Sequence, residues 1–192
     1  MKKTFIFVVL VVVLTILSAC GNSEQDVPSD AKVVQNFEYT NQEGQAYGLE
    51  NLKDKVWIVD FVFTNCETVC PPMTANMAKI QEMAKNKGLS VEFISFSVDP
   101  ELDKPEVLKQ FGEQFQVDFT NWNFLTGYTQ KEIETFAAEN FGAHVQKPKS
   151  TDQVIHGTSF YMVDQDGYVV RKYSGLENTP YEQIINDIES FQ

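Results

Sequence analysis

Thr64-Asn65-Cys66-Glu67-Thr68-Val69-Cys70-Pro71-Pro72 constrains this chain more than any other stretch. It follows the apolar run Val56-Trp57-Ile58-Val59-Asp60-Phe61-Val62-Phe63, long enough for one buried strand, and precedes Met73 to Lys87, which has helical periodicity. Two thiols four residues apart therefore lie where a strand gives way to a helix. Pro71 and Pro72 suit the first helical turn, because proline lacks the N–H that would go unpartnered there and its φ is already near the helical value. Cys70 is thus expected near the N-cap and Cys66 in the loop above it, both toward the positive end of the helix dipole. That end lowers a thiol pKa and favours thiolate, the form that attacks disulfides and binds metal ions.

The N-terminus sets the compartment. Met1-Lys2-Lys3 is basic, and Phe5 to Leu17 is apolar but brief against the ~20 residues of a spanning helix, so the segment reads as an export signal. Leu17-Ser18-Ala19-Cys20-Gly21 resembles the lipobox of bacterial lipoproteins, which implies cleavage before Cys20 and lipid on it. An uncleaved anchor is the alternative; either way the domain lies on the outer face of the cytoplasmic membrane. Three cysteines in an exported chain leave one odd thiol. Lipid on Cys20 resolves this, and Cys66 and Cys70 remain as the thiols of a domain in which a disulfide is permitted. The expected organisation is a signal peptide over 1–19, a lipidated cysteine with a flexible tether over 20–32, and one folded domain over 33–192. A net charge of -12 repels nucleic acid and sets aside DNA and RNA roles.

Along the domain, Val33–Thr40 and Gln45–Leu49 around a turn predict an N-terminal hairpin. The cysteine-bearing strand and helix follow, with Gly88 ending the helix. Val91–Val98 reads as a strand, Pro105 to about Phe115 as a helix capped by Asp103, Asn123–Leu125 as a short strand and Gln130–Phe141 as a helix. Asp164-Gln165-Asp166-Gly167 between Thr158–Val163 and Tyr168–Tyr173 marks a second hairpin, and Pro180 to about Phe191 closes the chain as a helix. Parallel strands alternating with helices, then an antiparallel pair, give an α/β thioredoxin-like central sheet with helices on both faces and an extra hairpin in front. Asp60 in Val59-Asp60-Phe61 resembles the buried acidic residue beneath a thioredoxin dithiol. It is expected either as an outer-shell proton acceptor or as a structural carboxyl bonded to backbone.

Thioredoxins place two residues between their cysteines, and here there are three. The wider loop still permits a disulfide and also lets both sulfurs turn toward one ion, for which histidine is the natural third ligand. His156, in Val154-Ile155-His156-Gly157-Thr158, precedes the strand that faces the dithiol in the thioredoxin plan, with Gly157 in place of the usual cis-proline. Two thiolates and an imidazole suit copper, Cu(I) or Cu(II), with zinc as competitor. His144 reads as a surface residue, Met73 and Met77 as core, and Glu67 as a solvated side chain or a weak oxygen ligand.

Cys66-Glu67-Thr68-Val69-Cys70-Pro71, Ser97-Val98-Asp99-Pro100 with Asp103 and Pro105, and His156 followed by Phe160-Tyr161-Met162-Val163-Asp164 resemble the SCO/SenC family of copper-binding assembly proteins. The resemblance runs from about Val33 to the end. It implies copper bound through Cys66, Cys70 and His156, and a metallochaperone that matures the binuclear copper centre in subunit II of cytochrome c oxidase. A rival reading is a thiol-disulfide oxidoreductase that reduces the subunit's cysteines, with its own thiol reductant partner. A weaker one is a thiol peroxidase or redox sensor, suggested by Thr64 near Cys66; such peroxidases need Thr three residues before the cysteine and a nearby arginine, and the chain's one arginine is Arg171.

Overall fold

The computed structural model describes residues 27–66 and 68–192. The expected signal peptide, Cys20 and Glu67 fall outside the described residues. In chain order the elements are β1 (Glu38–Asn41), β2 (Ala46–Gly48), β3 (Val56–Val62), α1 (Cys70–Lys87), β4 (Val91–Ser97), α2 (Pro105–Gln114), β5 (Trp122–Thr126) and α3 (Gln130–Phe141). Then come β6 (Val145–Gln146), β7 (Ile155–His156), β8 (Ser159–Val163), β9 (Val169–Ser174) and α4 (Tyr181–Ser190). A seven-stranded sheet runs β2-β1-β5-β4-β3-β8-β9, and β6 with β7 forms a separate two-stranded ribbon.

β3 lies inside the sheet because its sequence permits nothing more exposed: all seven positions are buried. Fully burying a large apolar side chain stabilises by roughly 1.5–3 kcal/mol, so a strand apolar on both sides belongs between two covered faces. It pairs parallel with β4 and antiparallel with β8. Alternation sends Trp57 and Phe61 to one face, where Phe141 of α3 meets both rings. Asp60 points to the other face, level with Ser95 of β4. On that side Phe111 of α2 packs on Phe124, and α1 and α4 touch each other. One face thus carries α1, α2 and α4 and the other α3, as right-handed crossovers from β3 to β4 to β5 require.

α1 begins at Cys70, three residues earlier than its apolar period suggests. Val69 is the N-cap, so both prolines fall in the first turn, where no intrahelical bond needs their missing N–H. Gly88 ends it in the left-handed region at φ 71, with its N–H on Lys85 O. The first strand is shorter than expected. Val34 and Phe37 are both buried, a three-residue spacing that an alternating strand cannot turn to one side, so regular pairing begins only at Glu38. Val33 makes one isolated bridge to Tyr168 instead. Asp103 does not cap α2: Lys104 is the N-cap and no side chain fills the role. Among the described residues no helix is long and apolar enough to cross a membrane.

Candidate metal centre

The junction between β3 and α1 holds both sulfurs inside. Cys66 is 6% exposed and Cys70 fully buried, and neither is in a disulfide. The Cys70 N–H, one of the helix-terminal donors without an intrahelical partner, donates to Cys66 Sγ at 3.3 Å. Thr68 Oγ1 lies 4.0 Å from the same sulfur. Burial raises the Cys66 pKa, but hydrogen bonds from the Cys70 side chain and from the backbone at Cys70, Thr68 and Val69 outweigh it, and the thiol is shifted down. Cys70 departs from expectation. Burial pushes its thiol up, the neighbouring Cys66 and Asp60 charges add to this, and the backbone at Phe63 only partly opposes them. A helix N-terminus favours thiolate only where the sulfur is not sealed from water.

His156 arrives from the ribbon. β6 and β7 pair antiparallel with Val145 opposite His156, and the ring packs edge-to-face on Phe63, 5.6 Å between centroids. Its Nδ1 lies 2.9 Å from Gly157 O. A carbonyl can only accept, so Nδ1 carries the proton and Nε2 keeps a free lone pair. That nitrogen is 3.4 Å from Cys70 Sγ. Burial lowers the imidazole pKa, against a smaller upward pull from the Gly157 carbonyl, and so favours the neutral ring. Cys66, Cys70 and His156 thereby bring one ligand atom each within 4.8 Å of one another. Two donors on one ion stand at most about 4.6 Å apart, twice a metal–sulfur bond of ~2.3 Å. The cluster needs only slight closure, and its donors, soft sulfur and neutral imidazole, fit copper or zinc better than a hard cation.

Asp60 is fully buried, and among the described residues neither carboxyl oxygen has a hydrogen-bond partner. Burial raises its pKa to about 7, against a lesser pull downward from the Ser95 hydroxyl. It is not among the three converging ligands; its charge is felt at Cys70. His144 is exposed, and Met73 and Met77 are fully buried core. Arg171 lies on β9, two strands from β3, with its guanidinium on Val170 O and over the Phe191 ring.

Two residues near the centre have roles the sequence did not signal. Asp103 Oδ1 accepts from Thr64 Oγ1 at 2.6 Å and from Thr64 N–H at 3.2 Å, while Oδ2 accepts from Ser97 Oγ at 2.6 Å. It pins the loop leading to Cys66. Lys147, just past β6, donates to the buried Asp99 at 2.7 Å. The one local signal was Pro105, which as the first helical residue makes Lys104 the N-cap and puts Asp103 one position too early for that role.

The family model described as SCO1/SenC matches residues 25–192. The chain belongs to the SCO1/SenC family. Among solved structures, a SCO1/SenC family lipoprotein from Bacillus anthracis is 55% identical with a TM-score of 0.82, over 85% of this chain and 98% of that one. BsSco, described as a cytochrome c oxidase assembly protein with a disulfide switch, is 52% identical with a TM-score of 0.79, over 85% and 96%. Copper-bound ScoI from Bradyrhizobium japonicum is 25% identical with a TM-score of 0.65, over 83% and 99%. With these likenesses, the fold of this family member is thioredoxin-like.

Proposed function

We propose that this protein is a membrane-tethered copper metallochaperone that binds its cargo ion through Cys66, Cys70 and His156 and supplies the binuclear centre in subunit II of cytochrome c oxidase. The observation that carries the reading is the convergence of two sulfurs and an imidazole within 4.8 Å, with Nε2 aimed inward by the bond from Nδ1 to Gly157. Copper in the Bradyrhizobium relative and the assembly role of BsSco support it. On this reading residues 1–19 are a lipoprotein signal peptide, lipid on Cys20 anchors the chain, 20–32 is the tether, and the domain over 33–192 works on the outer face of the cytoplasmic membrane.

The dithiol couples the cargo to redox state. With both cysteines reduced the sulfurs bind the ion. When an exchanging partner disulfide takes two electrons from them, the Cys66–Cys70 bond forms, the partner leaves as two thiols and the ligand pair is lost. A thiol reductant reverses the step. Asp60, nearly poised between protonated and ionised, is placed to take up a proton as the thiols lose theirs.

A second reading, thiol-disulfide oxidoreductase, is favoured by the asymmetry of the pair: Cys66 is shifted toward thiolate and Cys70 away from it. An attacking and a resolving thiol need that division of labour. The readings separate in a strain lacking the native protein. A His156→Ala copy should fail to restore oxidase, as the cysteine variants do. Restoration by His156→Ala alone would make electron transfer the task.

A further inference from the structure

The ribbon that carries His156 is too small to hold itself. Each strand has two residues, and an isolated hairpin is marginal in water even when longer. Buried Val145 and Val154 contribute some packing, and Gln153 Nε2 reaches Asn65 O at 3.2 Å in an exposed position. The charged tether is Lys147. Its Nζ is 2.7 Å from Asp99 Oδ1, with the two side chains 18% and 1% exposed. Its N–H also donates to Glu134 of α3 at 2.9 Å. Glu101, 3.4 Å from the same Nζ, is mostly exposed and adds little. Asp99 Oδ2 has no hydrogen-bond partner among the described residues, so Lys147 supplies the compensation that a buried carboxylate requires.

Asp99 also opens the turn that holds the cysteine loop. Its carbonyl accepts from Asp103 N–H at 2.9 Å. Its own N–H donates to Ser97 Oγ, which donates in turn to Asp103 Oδ2. Asp103 then takes both donors of Thr64. The segment with the imidazole and the segment with the sulfurs therefore dock on one turn, Asp99 to Asp103, through buried polar groups. We infer that the Lys147–Asp99 pair is a positioning latch that sets His156 against the two cysteines and so tunes metal affinity from outside the ligand set. The inference rests on the metal-binding reading above. Being buried, the pair is little screened by salt. Because Asp103 meets Asp99 only through that residue's backbone and Ser97, loss of the Lys147 ion pair moves the imidazole and leaves the dithiol in place.

The test uses the reduced full-length protein as wild type, Lys147→Met, Lys147→Arg and the neutral pair Lys147→Met with Asp99→Asn, each with and without His156→Ala. Near-UV circular dichroism establishes folding, and the neutral pair covers the case in which Lys147→Met alone strands a buried charge and unfolds. With His156 present, Lys147→Met and the neutral pair should weaken Cu(II) binding about tenfold, within the range of coupled neighbours. Lys147→Arg should recover most of it. In the His156→Ala background the same changes should do nothing, and the disulfide potential should not move. Equal losses in both backgrounds, or no loss in a folded neutral pair, would overturn the latch. A metal-free readout separates its failure from that of the copper reading: the His156 imidazole ¹⁵N–¹H NMR signal should broaden in Lys147→Met and sharpen again in Lys147→Arg. If wild type binds no copper but the ring responds this way, the latch stands and the cargo is wrong. An unchanged ring signal overturns the latch whatever the metal does.

Discussion

The thiol pair and the imidazole reach one point from unlike structures. Cys66 and Cys70 hang between a strand buried at every position and an 18-residue helix, Cys70 sealed in the core and Cys66 just short of it. His156 belongs to a two-residue strand with exposed Ile155 before it and exposed Gly157 after it. Elements with few buried contacts open at lower free energy than the core they lean on. The contrast teaches a division within the proposed function: electron chemistry, and with it the redox release of the ion, belongs to the buried junction, while the strength of ion binding also depends on a ribbon with few buried contacts of its own.

The sharpest way to break that division is to remove the two kinds of ligand separately. Cys66→Ala or Cys70→Ala should abolish the thiolate-to-copper charge-transfer band. His156→Ala should keep a weaker band, lower affinity by orders of magnitude, and leave the disulfide potential of the pair unchanged. A shifted potential in His156→Ala would place the imidazole inside the redox unit and erase the distinction.

Titration is the next largest effect, and the two regions carry opposite signs. Asp60 has a folded pKa of about 7 against an ordinary 3.8. Between those values the folded protein holds a proton that the unfolded chain has released, so stability falls as pH rises through that window. At ~1.4 kcal/mol per unit the loss is at most about 4.5 kcal/mol. His156 is depressed below its ordinary 6.5, so the unfolded chain gains the proton first and stability is lost as pH falls through that value. Urea unfolding across pH 4 to 8 should flatten above pH ~4 in Asp60→Asn. An unchanged slope would assign the titration elsewhere.

A smaller loss, about 2 kcal/mol, is expected for Asp103→Ala, which strands the Thr64 and Ser97 donors in a buried site. A change under about 0.5 kcal/mol in urea unfolding would mean that the loop is held by its backbone alone.

Much of this was readable in the chain. The run from Val56 to Phe63, the paired prolines and Gly88 each report local physics, and they mark β3, the start of α1 and its end without reference to any distant residue. The Asp164–Gly167 turn does the same for β8 and β9: Gly167 adopts φ 86 there. The ribbon was invisible because strands of two residues have no period to detect. Asp103 was misjudged because an aspartate ahead of a helix and an aspartate accepting from a loop 39 positions away look alike in sequence. The expectation of two lowered thiol pKa values failed at Cys70 for a related reason, since burial is a sum over neighbours that spacing does not reveal.

By itself the sequence determined the chemistry on offer: which side chains can ligate, the interval between the sulfurs, and the strand and helix that hold them. Only the tertiary structure decided which imidazole nitrogen faces the sulfurs, which thiol is shifted toward its anion, and that Lys147 and Asp103 secure the two halves of the centre on one turn. The reason is range. Helix starts, turns and apolar runs are settled by residues within a few positions, whereas desolvation and charge pairing depend on whatever the fold brings near.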